Sequence, residues 1–158
     1  MSLILALIVL MGVAVFTSII FNKKIDKTII LSFFITIFII YIFGFFDHLK
    51  AGVYAVIALS CLMWISSIIL FFRKDKKEII HNIITPGMII FGILTIVMFV
   101  FERRRMLVEW DEFSHWGSVV KSMFLTNGLS VKEGSSLMFK SYPPAISIFE
   151  YFFQVINR

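Results

Sequence analysis

Four long runs free of Asp, Glu, Lys and Arg dominate the pattern along the chain: Leu3 to Phe21, Thr28 to Phe46, Val53 to Phe72 and Ile83 to Phe101. At about 1.5 Å rise per residue, each approaches the ~30 Å thickness of bilayer hydrocarbon. The pattern predicts four transmembrane helices. The first run has no basic segment ahead of it and is longer than the ~7–15 apolar residues of a signal peptide, so it reads as an anchor that stays. Pro86 falls in the first turn of the fourth run, where a missing amide costs no intrahelical bond. Hydroxyl residues inside the runs, among them Thr17, Ser32, Thr36, Ser60, Ser66, Ser67 and Thr95, are expected to bond locally or between helices.

Composition agrees with lipid as the solvent. Of 158 residues, 59% are hydrophobic and 16% charged, against about 25% charged in soluble domains. The net charge is +5, yet most basic residues stand in short clusters between apolar runs, where they meet lipid headgroups rather than nucleic acid. Nucleic acid is therefore not an expected partner. Cys61 is the one cysteine and lies inside an apolar run, so no internal disulfide forms. A transporter is disfavoured because the four runs contain no carboxylate, lysine or arginine.

Basic residues in the loops predict orientation. The first connection holds Lys23, Lys24 and Lys27, the third holds Arg73, Lys74, Lys76 and Lys77, and the second only Lys50. Seven against one places loops one and three in the cytoplasm, with the N-terminus and residues 103–141 extracytoplasmic in a multi-pass cell-membrane protein. Arg103, Arg104 and Arg105 break that tendency. They serve either as snorkelling interfacial anchors or as a site for a lipid-linked phosphate, which guanidinium groups pair with bidentately.

After them comes EWDEFSHWGSVVKSMF, residues 109–124. Trp110 and Trp116 are belt residues expected where a chain leaves hydrocarbon. From Asp111 to Leu125, the spacing of Phe113, Trp116, Val120, Met123 and Phe124 predicts an amphipathic helix lying on the membrane, stopped by Asn127-Gly128. Asp111 and Glu112 occupy its first turn, where the helix dipole favours negative charge. They also lie four and three residues before His115, so an acid and the imidazole share a face and can act as general acid and base. A metal would need a third protein ligand, and only Glu109 is near; no metal or other cofactor is expected. Residues 129–141 read as a loop, and Tyr142-Pro143-Pro144 opens a further helix. Its apolar stretch, Ala145 to Asn157, spans only about 20 Å. Glu150 within it should face protein or water.

These features divide the chain into a four-helix transmembrane region (1–102), an extracytoplasmic loop with a juxtamembrane helix (103–141) and the start of a fifth membrane helix (142–158). The expected fold class is all-α: polytopic transmembrane helices, four complete and a fifth begun, plus an interfacial amphipathic helix. A helix this short with a polar face leads to the expectation of a truncated polytopic protein.

Over residues 103–152 the order of features resembles the first catalytic loop of GT-C membrane glycosyltransferases. The features are an arginine-rich exit, Asp111-Glu112, His115-Trp116-Gly117, a surface helix, a short loop and Tyr142-Pro143-Pro144. The protein O-mannosyltransferase type, whose loop carries Asp-Glu, then His, an aromatic and Gly, and later His-Pro-Pro, is the nearest echo. This chain departs in placing four membrane helices before the loop instead of one, and in one extra residue between the acids and the histidine. The resemblance implies transfer of a sugar from a polyprenyl-phosphate carrier to an acceptor on the outer face. Asp111 would be the general base, Glu112 a reserve or orienting group and His115 a catalytic partner. Arg103, Arg104, Arg105 and Lys121 would face the carrier phosphate, and Tyr142 would line the sugar pocket. Expected partners are the lipid bilayer, the polyprenyl-phosphate-linked sugar, and the missing C-terminal part or another membrane subunit. The rival expectation is a non-catalytic small polytopic membrane protein that docks a partner through its charged loop.

Overall fold

Each apolar run folds as helix, because in the absence of water only intra-segment hydrogen bonding satisfies the backbone. The computed structural model describes residues 2–102, 116–131 and 143–156. They form seven helices and no strand: α1 Ser2–Phe21, α2 Ile25–Phe45, α3 Leu49–Arg73, α4 Lys76–Ile83, α5 Pro86–Glu102, α6 Gly117–Thr126 and α7 Ala145–Ile156. The protein is all-α. Three helices, α1 to α3, are long and apolar enough to cross a membrane; a fourth span exists if α4 and α5, bent by 47° at their junction, count as one. The large side chains exposed along α5, from Ile89 and Ile90 to Val100 and Phe101, fit lipid as their surroundings.

Two of the predicted elements differ from the structure. The fourth run is not one helix from Ile83: α4 ends at Ile83 and α5 begins at Pro86. Proline disfavours α geometry in the residue before it, and the Thr85 hydroxyl accepts from the Met88 amide at 3.1 Å, capping α5. The third connection, expected as a loop, is itself helical. Asp75 caps α4 by accepting from the Lys77 amide at 2.9 Å, and Ile79 is buried. Burying one isoleucine face while charges stay outside is enough to stabilise a two-turn helix that already packs on its neighbours.

Helix ends follow a common rule. Asn22, Asp47 and Asn127 have φ of 51°, 60° and 54°, the left-handed conformation that Asn and Asp tolerate best after glycine. After α1 the Lys23 amide reaches the Ser18 carbonyl at 3.1 Å; after α2 the His48 amide reaches the Phe43 carbonyl at 3.0 Å. Both are six-to-one closures that satisfy orphan carbonyls at a helix C-terminus.

The chain divides into two compact units. One comprises Ile8–Phe33 and Leu59–Met106. Its core is Ala14, Val15 and Ile19 of α1, Ile25 and Ile29 of α2, and Ile79 of α4, with Trp64, Phe71, Met88 and Phe91 packed against it. Small residues let α1 and α3 approach: a Cβ on Gly12 would overlap the Ser60 hydroxyl and lie 2.7 Å from Trp64 Cδ1. Across that contact Ser60 Oγ donates to the Val9 carbonyl at 2.6 Å and Trp64 Nε1 to the Ile8 carbonyl at 2.9 Å. Thr17, Ser32, Ser66, Ser67 and Thr95 bond back to their own helices instead, so both expected fates of intramembrane hydroxyls occur.

The other unit comprises Met1–Leu7, Phe34–Ala58 and Leu107–Arg158. There Ile40, Leu49, Val53 and Val56 are buried with Val119 and Met123 of α6 and Ile148, Tyr151 and Phe152 of α7. Phe124 and Tyr151 join α6 to α7 with ring centroids 4.6 Å apart. Gly52 lies so close to α2 that a Cβ would sit 3.0 Å from the Ile40 Cα.

Candidate functional site

Of the predicted site residues, Lys121 lies within the described structure, exposed on α6. Arg103, Arg104, Arg105, Asp111, Glu112, His115 and Tyr142 lie outside the described residues, as does the predicted helical turn at 111–115. The amphipathic helix itself is present over Gly117–Thr126. Its buried stripe is Val119 and Met123, with Trp116, Val120 and Phe124 half-buried. The face is thus rotated by about one residue from the one expected, because Val119 rather than Val120 meets the core. Lys121 projects from the opposite, exposed side.

The predicted stop at Asn127-Gly128 is found and does more than end α6. The left-handed Asn127 closes α6 with its own amide on the Met123 carbonyl at 2.9 Å. Its carbonyl then accepts from the Leu49 amide at 3.0 Å, and its side-chain Oδ1 accepts from the Lys50 amide at 2.9 Å. One asparagine therefore terminates α6 and satisfies two of the orphan donors at the start of α3. Gly128 is pressed against the Asp47 carboxylate with no room for a Cβ, and a Cβ on Gly44 would fall 2.7 Å from Leu129 Cδ2. Gly128, Leu129 and Ser130 are buried. His48 Nδ1 donates to the Phe46 carbonyl, which can only accept, so that nitrogen carries a proton.

Sequence reading missed this polar corner of Asp47, His48 and Asn127. The signal for it in the sequence is the pair Asp47-His48 between two apolar runs. Loop two and the end of α6 are joined here. In the other unit loops one and three are joined, Asn82 Nδ2 donating to Asn22 Oδ1 at 2.6 Å and Asn22 Nδ2 to Glu78 Oε1.

Beside the corner's unit-mates, an apolar groove of about 230 Å³ is lined by Phe34, Ile37, Phe38 and Tyr41 of α2 and by Pro144, Ala145 and Ile148 at the start of α7. Pro143 and Pro144 lead into α7, where the Ile148 amide bonds to the Pro144 carbonyl at 2.9 Å, as a proline-opened helix does. Glu150 is exposed on α7. Among the described residues, no three His, Cys, Asp or Glu side chains form a group able to hold a metal ion.

The class defined by this fold is an all-α protein with three to four helices suited to crossing a membrane, compatible with a multi-pass membrane protein. No protein-family model, curated protein or solved structure matches the chain.

Proposed function

We propose that the chain is part of a GT-C-type membrane glycosyltransferase that transfers a sugar from a polyprenyl-phosphate carrier to an acceptor on the extracytoplasmic face. The observation that carries the reading is the ordered series Arg103-Arg104-Arg105, Asp111-Glu112, His115-Trp116-Gly117 and Tyr142-Pro143-Pro144 between two apolar helices. In this reading Asp111 takes the proton from the acceptor hydroxyl as that oxygen attacks the anomeric carbon, with Glu112 and His115 orienting it. The leaving lipid phosphate gathers negative charge that Arg103 to Arg105 and Lys121 offset. Tyr142 lines the sugar pocket.

Two structural features support the reading. The α6 helix carries Lys121 on its exposed side directly after the acidic cluster, and the apolar groove between α2 and α7, which offers a path for an isoprenoid chain, begins two residues after Tyr142. The cell membrane is the proposed location, with residues 103–141 outside.

Asp111→Asn in the whole gene product tests the proposal. Loss of the surface glycan or glycolipid, at normal protein level, is the expected outcome, by about two to four orders of magnitude in rate. Unchanged glycosylation would instead favour the non-catalytic subunit that docks a partner.

A further inference from the structure

The end of the molecule formed by loop one and α4 has an unusual distribution of charge. Lys23, Lys24, Lys27, Arg73, Lys74, Lys76 and Lys77 are all exposed there, against Asp26, Asp75 and Glu78, an excess of four positive charges. All three carboxylates are committed within the fold. Asp26 accepts from the Thr85 hydroxyl, Asp75 caps α4 through the Lys77 amide, and Glu78 accepts from the Asn22 side chain. Lys74 Nζ is tied to the Ile19 carbonyl at 2.8 Å, and Lys76 lies 5.7 Å from the Phe72 ring centroid. Among the described residues, Lys23, Lys24, Lys27, Arg73 and Lys77 have no ion-pair partner.

The basic residues rise directly from an apolar collar: Phe21 is 63% exposed, Phe72 72%, Ile80 47% and Ile84 65%. Phe21 and Phe72 each sit one or two positions before a lysine or arginine, Ile80 follows Lys76 and Lys77 along α4, and Ile84 lies just past its end. A nucleic acid or acidic peptide would satisfy the charges and leave the collar in water. A lipid surface satisfies both, with hydrocarbon around the collar and headgroup phosphates around the lysines. Between the two loops a cleft of about 230 Å³, lined by Ser18, Asn22, Lys74, Asp75, Glu78 and Asn82, brings polar groups to the same level.

We infer that loop one and α4 form a docking surface for anionic phospholipid headgroups, with α4 lying in the interface and Lys23, Lys24, Lys76 and Lys77 supplying the phosphate contacts. This inference is independent of glycosyl transfer, since none of the residues proposed for that reaction takes part in it.

The test uses the full chain purified in detergent, with retained lipid counted by native mass spectrometry after addition of phosphatidylglycerol or phosphatidylcholine. The wild-type protein is expected to retain phosphatidylglycerol preferentially. The double variant Lys76→Gln/Lys77→Gln should lower that preference by roughly an order of magnitude, Lys76→Arg/Lys77→Arg should keep it, and Lys50→Gln, in the other unit, should leave it intact. Raising salt should erode the preference. Equal retention of the two lipids by the wild type would overturn the inference. So would a folded glutamine variant that binds phosphatidylglycerol as the wild type does.

Discussion

At the scale of single residues, the polar groups buried among the apolar helices differ in what they contribute. Ser60 and Trp64 bind carbonyls of the neighbouring helix, whereas the fully buried Thr36 hydroxyl has no partner among the described residues. Such an orphan costs about 1–3 kcal/mol, and replacing it with an isosteric apolar group recovers part of that. Thr36→Val should therefore raise the thermal unfolding temperature in detergent, while Ser60→Ala should lower it by the equivalent of about 1 kcal/mol. If both variants shift the same way, hydrogen bonding does not separate the two sites. Gly12 sits where α1 meets α3, and Gly12→Ala should cost about 1–3 kcal/mol in the same assay, because its methyl meets Ser60 and Trp64. Gly92 has open space around a Cβ, so Gly92→Ala is the control and should be neutral or slightly stabilising.

Among the elements, the helix ends hold the molecule's least replaceable backbone. Asn127 closes α6 in a left-handed conformation and caps α3 with its side chain. Asn127→Gly keeps the conformation and loses the cap, whereas Asn127→Ala loses both. The alanine variant should be the less stable, and the glycine variant should fall short of wild type by about 1 kcal/mol. Amide hydrogen exchange at Lys50, whose partner is the Asn127 side chain, would register the lost cap specifically; unchanged protection there in both variants would refute the dual role. The existence of the membrane helices was legible from charge-free runs alone, because hydrophobic length is a strong signal. Their junctions were not. Whether Ile83 continues into Pro86 depends on the Thr85 hydroxyl, which bonds both Met88 and Asp26, and Asp26 is far away in sequence. The helicity of α4 hinges on a local Asp75 cap that was visible, but it was outweighed by the charge of the segment. Likewise the left-handed stop at Asn127 was readable, while its hold on α3 is a contact across 77 positions that no periodicity encodes.

For the whole molecule, sidedness is the property on which function depends. Loops one and three are joined in one unit, and loop two with the end of α6 in the other. The chemistry proposed for Asp111 requires that residues 103–141 share a side with loop two. The acid-histidine cluster and its arginines were legible only as an ordered motif, since their type and spacing are in the sequence but their geometry depends on how the loop is held. The most direct test is accessibility at position 111. In a Cys61→Ala background, Asp111→Cys in intact cells should react with a membrane-impermeant thiol reagent, while Lys77→Cys should react only after permeabilisation. Labelling of position 77 from outside, with position 111 protected until the membrane is breached, would contradict the account.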